Sequence, residues 1–219
     1  MREDYFLSNG KKFKVYKNSK SSFYKLLLLH GYSFNSDVWD LINLPEVLAD
    51  NFVSAYAFDI PGFPKSRNKQ KVTKTEIVDA LYDLYIKIST GSKITVLGSS
   101  AGAYFASSFA ERYPKCVNGL ILVGAVNLDI KFDKIKAPIF GIWGSNDNIS
   151  DPISGKRILE AHNAKVWIIE GASHACYLKD PDEFNNIILS IMDYIKKRNP
   201  LPKNENFKKE QQPQPQELQ

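Results

Sequence analysis

Residues 94–113 read Ile-Thr-Val-Leu-Gly-Ser-Ser-Ala-Gly-Ala and then Tyr-Phe-Ala-Ser-Ser-Phe-Ala-Glu-Arg-Tyr, with Pro114 next. A β-branched run stops at small residues, and an apolar-periodic segment follows until the proline. That order predicts a buried strand, an abrupt turn and a helix. The turn is Gly98-Ser99-Ser100-Ala101-Gly102, a G-x-S-x-G. In a turn this tight, side chains two residues either side of the serine would collide. The serine is held in a strained conformation with its hydroxyl raised above the sheet edge. The spacing selects Ser100, because a frame centred on Ser99 would put Leu97 and Ala101 at the glycine positions.

The chain on either side alternates strands with helices. Tyr5 to Tyr16 turns at Asn9-Gly10, a two-residue hairpin signal, and predicts an antiparallel edge pair. Tyr24–His30 is a nearly continuous apolar run, as a parallel strand covered on both faces requires. A helix over Val38–Ala49, interrupted by Pro45, precedes a strand at Phe52–Ile60. A helix from Lys74 to Ile88 carries an apolar stripe at Ile77, Leu81, Leu84, Tyr85 and Ile88. Lys93–Leu97 feeds the elbow. Gly119–Gly124, Pro138–Gly144 and Lys165–Glu170 are further strands, and Ser154–Ala161 and Pro181–Ile195 are helices. After Lys197 the chain is rich in Pro, Gln and Lys with almost no apolar content. The expected organisation is one domain over 1–197 and a disordered polar tail over 198–219. Alternation of this kind implies an α/β fold, a mainly parallel sheet with helices on both faces.

Ligands of such sheets bind beyond the carboxyl ends of the strands. His30-Gly31-Tyr32-Ser33 follows the first long strand, and Asp59-Ile-Pro-Gly-Phe-Pro-Lys-Ser66 the next. Ser100 follows the elbow strand, Ser145-Asn-Asp147-Asn follows Pro138–Gly144, and Gly171-Ala-Ser-His174 follows Lys165–Glu170. A hydroxyl, a carboxylate and an imidazole thus emerge on one rim, in the chain order Ser100, Asp147, His174. Acyl transfer needs those three parts: a nucleophile, a base to take its proton, and a carboxylate to fix the base's tautomer. Of the three histidines, His30 belongs to a turn motif and His162 closes a helix, which leaves His174 as the base. Asp129 and Asp151 are the competing carboxylates. Cys176 reads as a packed small residue rather than a second nucleophile.

The motif series His30-Gly31 with Trp39, Asp59-x-Pro-Gly62, Gly98-x-Ser-x-Gly102, Gly144-x-x-Asp147 and Gly171-x-x-His174 resembles that of the α/β-hydrolases. Within them, Leu-Leu-Leu-His-Gly, Phe-Asp-Ile-Pro-Gly and His174-x-Cys-Tyr-Leu178 with Pro181 resemble the small lidless "alpha/beta hydrolase domain-containing protein 14" type. The resemblance implies an eight-stranded sheet, serine-hydrolase activity on small acyl esters, and an oxyanion hole from the backbone N–H groups of Tyr32 and Ala101. Pro64 departs from the pattern, where a glycine is usual. Only Ala125–Ala137 separates the strands between which lidded relatives insert a cap, so no cap domain fits. An open site bounded by loops carrying Tyr32, Phe34, Phe63 and Tyr104 is expected, with Phe34, Phe63 and Tyr104 contacting substrate. An open rim disfavours long acyl chains, which need extended apolar surface to leave water.

A length of 219 residues suits one sizeable core, and 43% hydrophobic with 24% charged residues excludes general disorder. No apolar run reaches membrane-spanning length. The charged start and the two cysteines predict a cytoplasmic protein without a disulfide framework. The mild net charge of +5 with scattered lysines disfavours nucleic acid. The run from Lys65 to Lys74 carries five positive charges; it reads as a solvated face or as a steering element for anionic esters. No metal-ligand spacing and no phosphate loop is present, so no metal and no cofactor is expected. The resulting expectation is a carboxylesterase-like serine hydrolase of short acyl esters. Amide or thioester cleavage, acyl transfer to another acceptor, and a non-catalytic ligand-binding relative are the alternatives.

Overall fold

Leu26, Leu27, Leu28 and Leu29 have no exposed surface, and they show how the molecule is layered. Alternate strand residues point to opposite faces. Leu27 and Leu29 therefore enter one hydrophobic core, and Leu26 and Leu28 enter another on the far side of the sheet. A strand that is apolar at every position is what burial on both faces demands. The computed structural model describes residues 1–201 with the exception of 129. Most of the tail expected from 198 onward therefore lies outside the described residues.

Eight strands form one sheet: β1 (Arg2–Ser8), β2 (Lys11–Lys17), β3 (Lys25–Leu29), β4 (Ser54–Phe58), β5 (Ile94–Ser99), β6 (Val117–Val123), β7 (Ile139–Gly144) and β8 (Lys165–Ile169). Their spatial order is β1-β2-β4-β3-β5-β6-β7-β8. The hairpin turning at Asn9-Gly10 is antiparallel and joins β4 antiparallel; every later pairing is parallel. The order steps out one way from β3 and back the other after β4, placing β5 next to β3 at the centre.

Helices α3 (Lys74–Ser89) and α4 (Ala101–Arg112) supply one core through Leu81, Leu84, Phe105 and Phe109. The other face is covered by α1 (Asp37–Leu41), α2 (Leu44–Asp50) and α6 (Pro181–Arg198), through Trp39, Leu48, Phe184 and Ile188. The helix α5 (Pro152–Glu160) packs Leu159 with the first group. The single helix expected over Val38–Ala49 is two. Asn43 takes a left-handed conformation between them, and Pro45 lies in the first turn of α2, where its missing N–H costs nothing. The proline starts a helix instead of kinking one.

Between β6 and β7 the described chain makes one short 3-10 turn at Phe132–Lys134, and no cap covers the sheet edge. Among the described residues no helix is long and apolar enough to cross a membrane.

Two strand glycines test how far the packing tolerates added atoms. A Cβ on Gly144 would fall on the carbonyl oxygens of Ala172 and Ser173, whereas the nearest atoms to one on Gly119 belong to side chains, Ile195 Cδ1 at 2.8 Å and Thr95 Cγ2 at 3.2 Å. Backbone cannot retreat and a side-chain tip can. Gly144→Ala should cost about 3 kcal/mol, near the upper end for overpacking, and Gly119→Ala under about 1 kcal/mol. Denaturant unfolding measures both; equal losses would contradict the packing described.

Candidate active site

The elbow joins β5 to α4, and its sterics are visible atom by atom. Ser100 sits at φ 51°, ψ −118°, a region that non-glycine residues avoid at a cost of about 1–3 kcal/mol. A Cβ on Gly98 would lie 2.5 Å from the Gly102 oxygen and 2.6 Å from the Ala103 Cα. One on Gly102 would lie 2.5 Å from the Leu29 oxygen and 2.6 Å from that of His30. The two glycines thus let the turn close on itself and press against the end of β3. The Ser100 N–H donates to Val123 O at 2.8 Å, and its carbonyl accepts from Ala103 N–H at 3.0 Å, so the strained residue is pinned on both sides.

Above the sheet edge, Ser100 Oγ lies 2.8 Å from His174 Nε2. The other ring nitrogen, Nδ1, lies 2.8 Å from Asp147 Oδ2 and 3.0 Å from Oδ1. Asp147 Oδ1 also accepts the N–H groups of Ile149 and Ser150, each at 2.9 Å. These donors fix a carboxylate whose side chain is fully buried, while the imidazole keeps 18% exposure. With Asp147 as the acceptor, a neutral ring would hold its proton on Nδ1 and turn Nε2 to the Ser100 hydroxyl. The loop carrying His174 reaches this position because Gly144 lets the Ala172 and Ser173 backbone pass over the end of β7.

The loop after β3 lies against the elbow: a Cβ on Gly31 would be 3.4 Å from Ser100 Cβ. Tyr32 follows, and it lines the same cavity as Ser100. Ala101 opens α4, so its N–H has no partner within the helix. Fully buried His30 holds this loop from below. Its Nδ1 contacts Gly31 O at 2.9 Å, and Nε2 accepts the Ile60 N–H at 2.9 Å. Buried Asp59 accepts the Arg67 N–H at 2.8 Å, a loop-organising role.

A cavity of about 170 Å³ opens at Ser100, with Phe34, Ile149, His174, Ala175 and Tyr177 among its lining residues. Of the three aromatics expected to contact substrate, only Phe34 lines it. Phe63 packs edge-on behind Tyr32 at 5.1 Å and against His30 at 5.6 Å, so it backs the loop. Tyr104, on the first turn of α4, is edge-on to Phe105 with Lys74 Nζ 4.6 Å above its ring. Ile149 and Tyr177 line the cavity as well, beyond the residues the sequence pattern singles out. Ile149 is 65% exposed, and an apolar residue just after the acidic turn was a usable signal. Tyr177 sits within the His174 motif but reads locally as core.

The competing residues have other places. Asp151 caps α5, accepting from Ile153 and Ser154. Asp129 lies outside the described residues. His162 stacks on Phe132 at 4.1 Å, away from the rim. In the basic run, Arg67 pairs with Asp37 and donates to the Tyr16 hydroxyl, and Lys69 donates to Pro64 O. Lys65 Nζ comes to the rim, 5.8 Å from the centroid of the Phe34 ring. Among the described residues no group of three or more His, Cys, Asp or Glu is arranged to hold a metal.

The sequence pattern of the alpha/beta hydrolase fold matches residues 24–137, more than half of the chain, and the protein belongs to that family. It is 25% identical to "Protein ABHD14A" of Danio rerio over 175 residues, 78% of this chain and 65% of that protein; the match thus spans just under two thirds of that relative. It is 25% identical over 188 residues to the Rattus norvegicus protein named "Putative protein-lysine deacylase ABHD14B", covering 81% of this chain and 87% of that one. Among solved structures, a "predicted CIB-like hydrolase" from Thermoplasma acidophilum superposes with a TM-score of 0.74 at 25% identity, over 87% of this chain and 97% of that one. The fold is shared with the carbazole-degradation serine hydrolase CarC, TM-score 0.75 at 16% identity, covering 88% and 98% of the two chains.

Cys176, two residues past His174, is fully buried. Burial first, and the Asp147 charge second, push its thiol up to about 12, so almost no thiolate forms near neutrality. Iodoacetamide at pH 8 should leave Cys176 unmodified in the folded protein and alkylate it after denaturation, as read by mass spectrometry. Rapid alkylation of the native protein at Cys176 would show a reactive thiol beside the site.

Proposed function

We propose that this protein is a serine hydrolase that removes short acyl groups through an acyl-enzyme, with Ser100 as nucleophile, His174 as general base and acid, and Asp147 as the orienting carboxylate. The hydrogen-bonded chain Ser100–His174–Asp147, with both links at 2.8 Å, carries the reading. As His174 Nε2 takes its proton, Ser100 Oγ attacks the acyl carbon. The backbone N–H groups of Tyr32 and Ala101 receive the developing oxyanion, and two such donors lower the barrier by several kcal/mol. The imidazolium passes the proton to the leaving oxygen, the C–O bond breaks, and the alcohol departs. Water then repeats the sequence on the acyl-serine, releasing a carboxylic acid and restoring Ser100.

An ester of a short acid is the substrate class we favour, because the cavity at Ser100 is small and no cap extends it. Amide cleavage on a lysine side chain is a second reading, favoured by the relative whose name carries a protein-lysine deacylase activity. The same residues serve both, with an amine leaving in place of an alcohol. Two free, buried cysteines support a reducing compartment, and we place the protein in the cytoplasm on that basis.

A fluorophosphonate probe tests the reading directly, since it labels only an activated serine. Wild type should be labelled and should hydrolyse p-nitrophenyl acetate. Ser100→Ala should lose both while remaining folded, and Ser99→Ala should keep most of its activity. Asp147→Asn should lower turnover about 10⁴-fold by favouring the wrong imidazole tautomer. A folded wild type that neither labels nor turns over ester or acyl-lysine peptide would point to a binding protein on a hydrolase fold.

A further inference from the structure

Two spaces meet at one side chain. The cavity at Ser100 holds about 170 Å³. Outside it lies a larger, open groove of about 560 Å³ along α1, its exposed surface mainly apolar, bordered by Val38, Leu41 and Lys65 and also by Asn35, Asp37 and Asp40. Among the described residues, Phe34 is the one that lines both. Its ring meets Tyr177 edge-on, with centroids 6.3 Å apart, and carries Lys65 Nζ 5.8 Å from its own centroid.

We propose that the Phe34 ring is the partition that sets acyl-chain length, closing a pocket for short acyl groups off from a groove that would accept longer ones. The inference rests on the reading that Ser100 receives the acyl group. The wall has one fixed side and one adjustable side. Tyr177 is 1% exposed and is wedged against Trp39 and Phe184, each at 5.5 Å, so it has nowhere to retreat. Phe34 is only half-buried and packs on the edge of the core that holds Tyr177, so truncating it removes the barrier from the solvent side. A cavity of about 150 Å³ takes one benzene-sized molecule. With the scissile carbonyl inside, about 170 Å³ leaves room for an acyl chain of roughly two to four carbons. Beyond the ring, Val38 is buried and Leu41 is 73% exposed, giving a longer chain an apolar surface on which to leave water.

The test is an acyl-length profile with p-nitrophenyl acetate, butyrate and octanoate, alongside fluorophosphonate labelling and a circular-dichroism melt for each variant. One methylene too many or too few in an apolar pocket changes kcat/KM by about 10- to 200-fold. Wild type should prefer acetate and butyrate to octanoate by at least about 10-fold. Phe34→Ala should raise the octanoate-to-butyrate ratio by at least about 10-fold, and Phe34→Trp should lower the butyrate-to-acetate ratio. Adding Leu41→Ser to Phe34→Ala should take back part of the octanoate gain, because the longer chain crosses that residue. Should Phe34→Ala fail to fold, Phe34→Leu and Phe34→Trp carry the test through opposite shifts. Normal labelling with unchanged ratios in folded variants would overturn the partition while leaving the hydrolase reading intact. Absence of labelling and of all ester turnover in wild type would instead defeat the hydrolase reading, and the partition with it.

Discussion

The contact on which the structure depends is the one between the β5–α4 turn and the end of β3. The carbonyls of Leu29 and His30 stand where a side chain on residue 102 would have to go. Glycine there lets α4 start directly beside the central strand. Everything at the sheet edge is indexed to that approach. The strained backbone of Ser100 sets its hydroxyl against His174, and the β3 loop folds over the turn at Gly31. Strain of about 1–3 kcal/mol at one residue is tolerable because the surrounding strands, buried on both faces, supply the rigidity that holds it.

The layering was legible in the sequence because it is written in periodicity and punctuation. Four consecutive leucines suit a strand covered on both sides, flanked as they are by turn residues, and Asn9-Gly10 is the commonest two-residue hairpin signal. The glycine frame around Ser100 was legible for a steric reason, and the two impossible Cβ positions bear that reason out. The rim residues followed from topology, since strand ends in a parallel sheet converge whatever the loops contain. Helix boundaries were less so. As sequence Pro45 reads as an interruption, yet proline equally suits the first turn of a new helix, and the left-handed Asn43 before it decides between them.

The direction of loop side chains was not legible. Phe34, Phe63 and Tyr104 all lie near the rim in sequence terms, yet one lines the cavity, one props a loop and one lies along a helix. No local pattern separates them, because each orientation is set by partners distant in the chain: Tyr177 for Phe34, His30 for Phe63, Lys74 for Tyr104. Charge has the same limit. The Lys65–Lys74 run looks uniform as sequence, but Arg67 is occupied by Asp37 and Lys69 by a carbonyl. Asp37 offsets the Arg67 charge, whereas Lys69 keeps its charge beside a neutral carbonyl, and Lys65 is a cation of the run set beside the Phe34 ring.

Without a cap, selection of a substrate falls on the loops, and here it concentrates in one of them. The β3–α1 loop carries the Tyr32 N–H that the proposed mechanism aims at the oxyanion, and two residues later the ring that closes the cavity. The two are mechanically joined, because the Phe34 N–H donates to Gly31 O at 3.1 Å and Gly31 rests on the elbow. A ring displaced by an oversized acyl group would pull on the peptide that positions Tyr32. Acyl size and oxyanion geometry are then coupled through a single turn. Discrimination built this way acts on the transition state as well as on binding, which is where an enzyme gains rate from fit. A lidded relative can place those duties on separate elements; a chain with only Ala125–Ala137 between the relevant strands cannot.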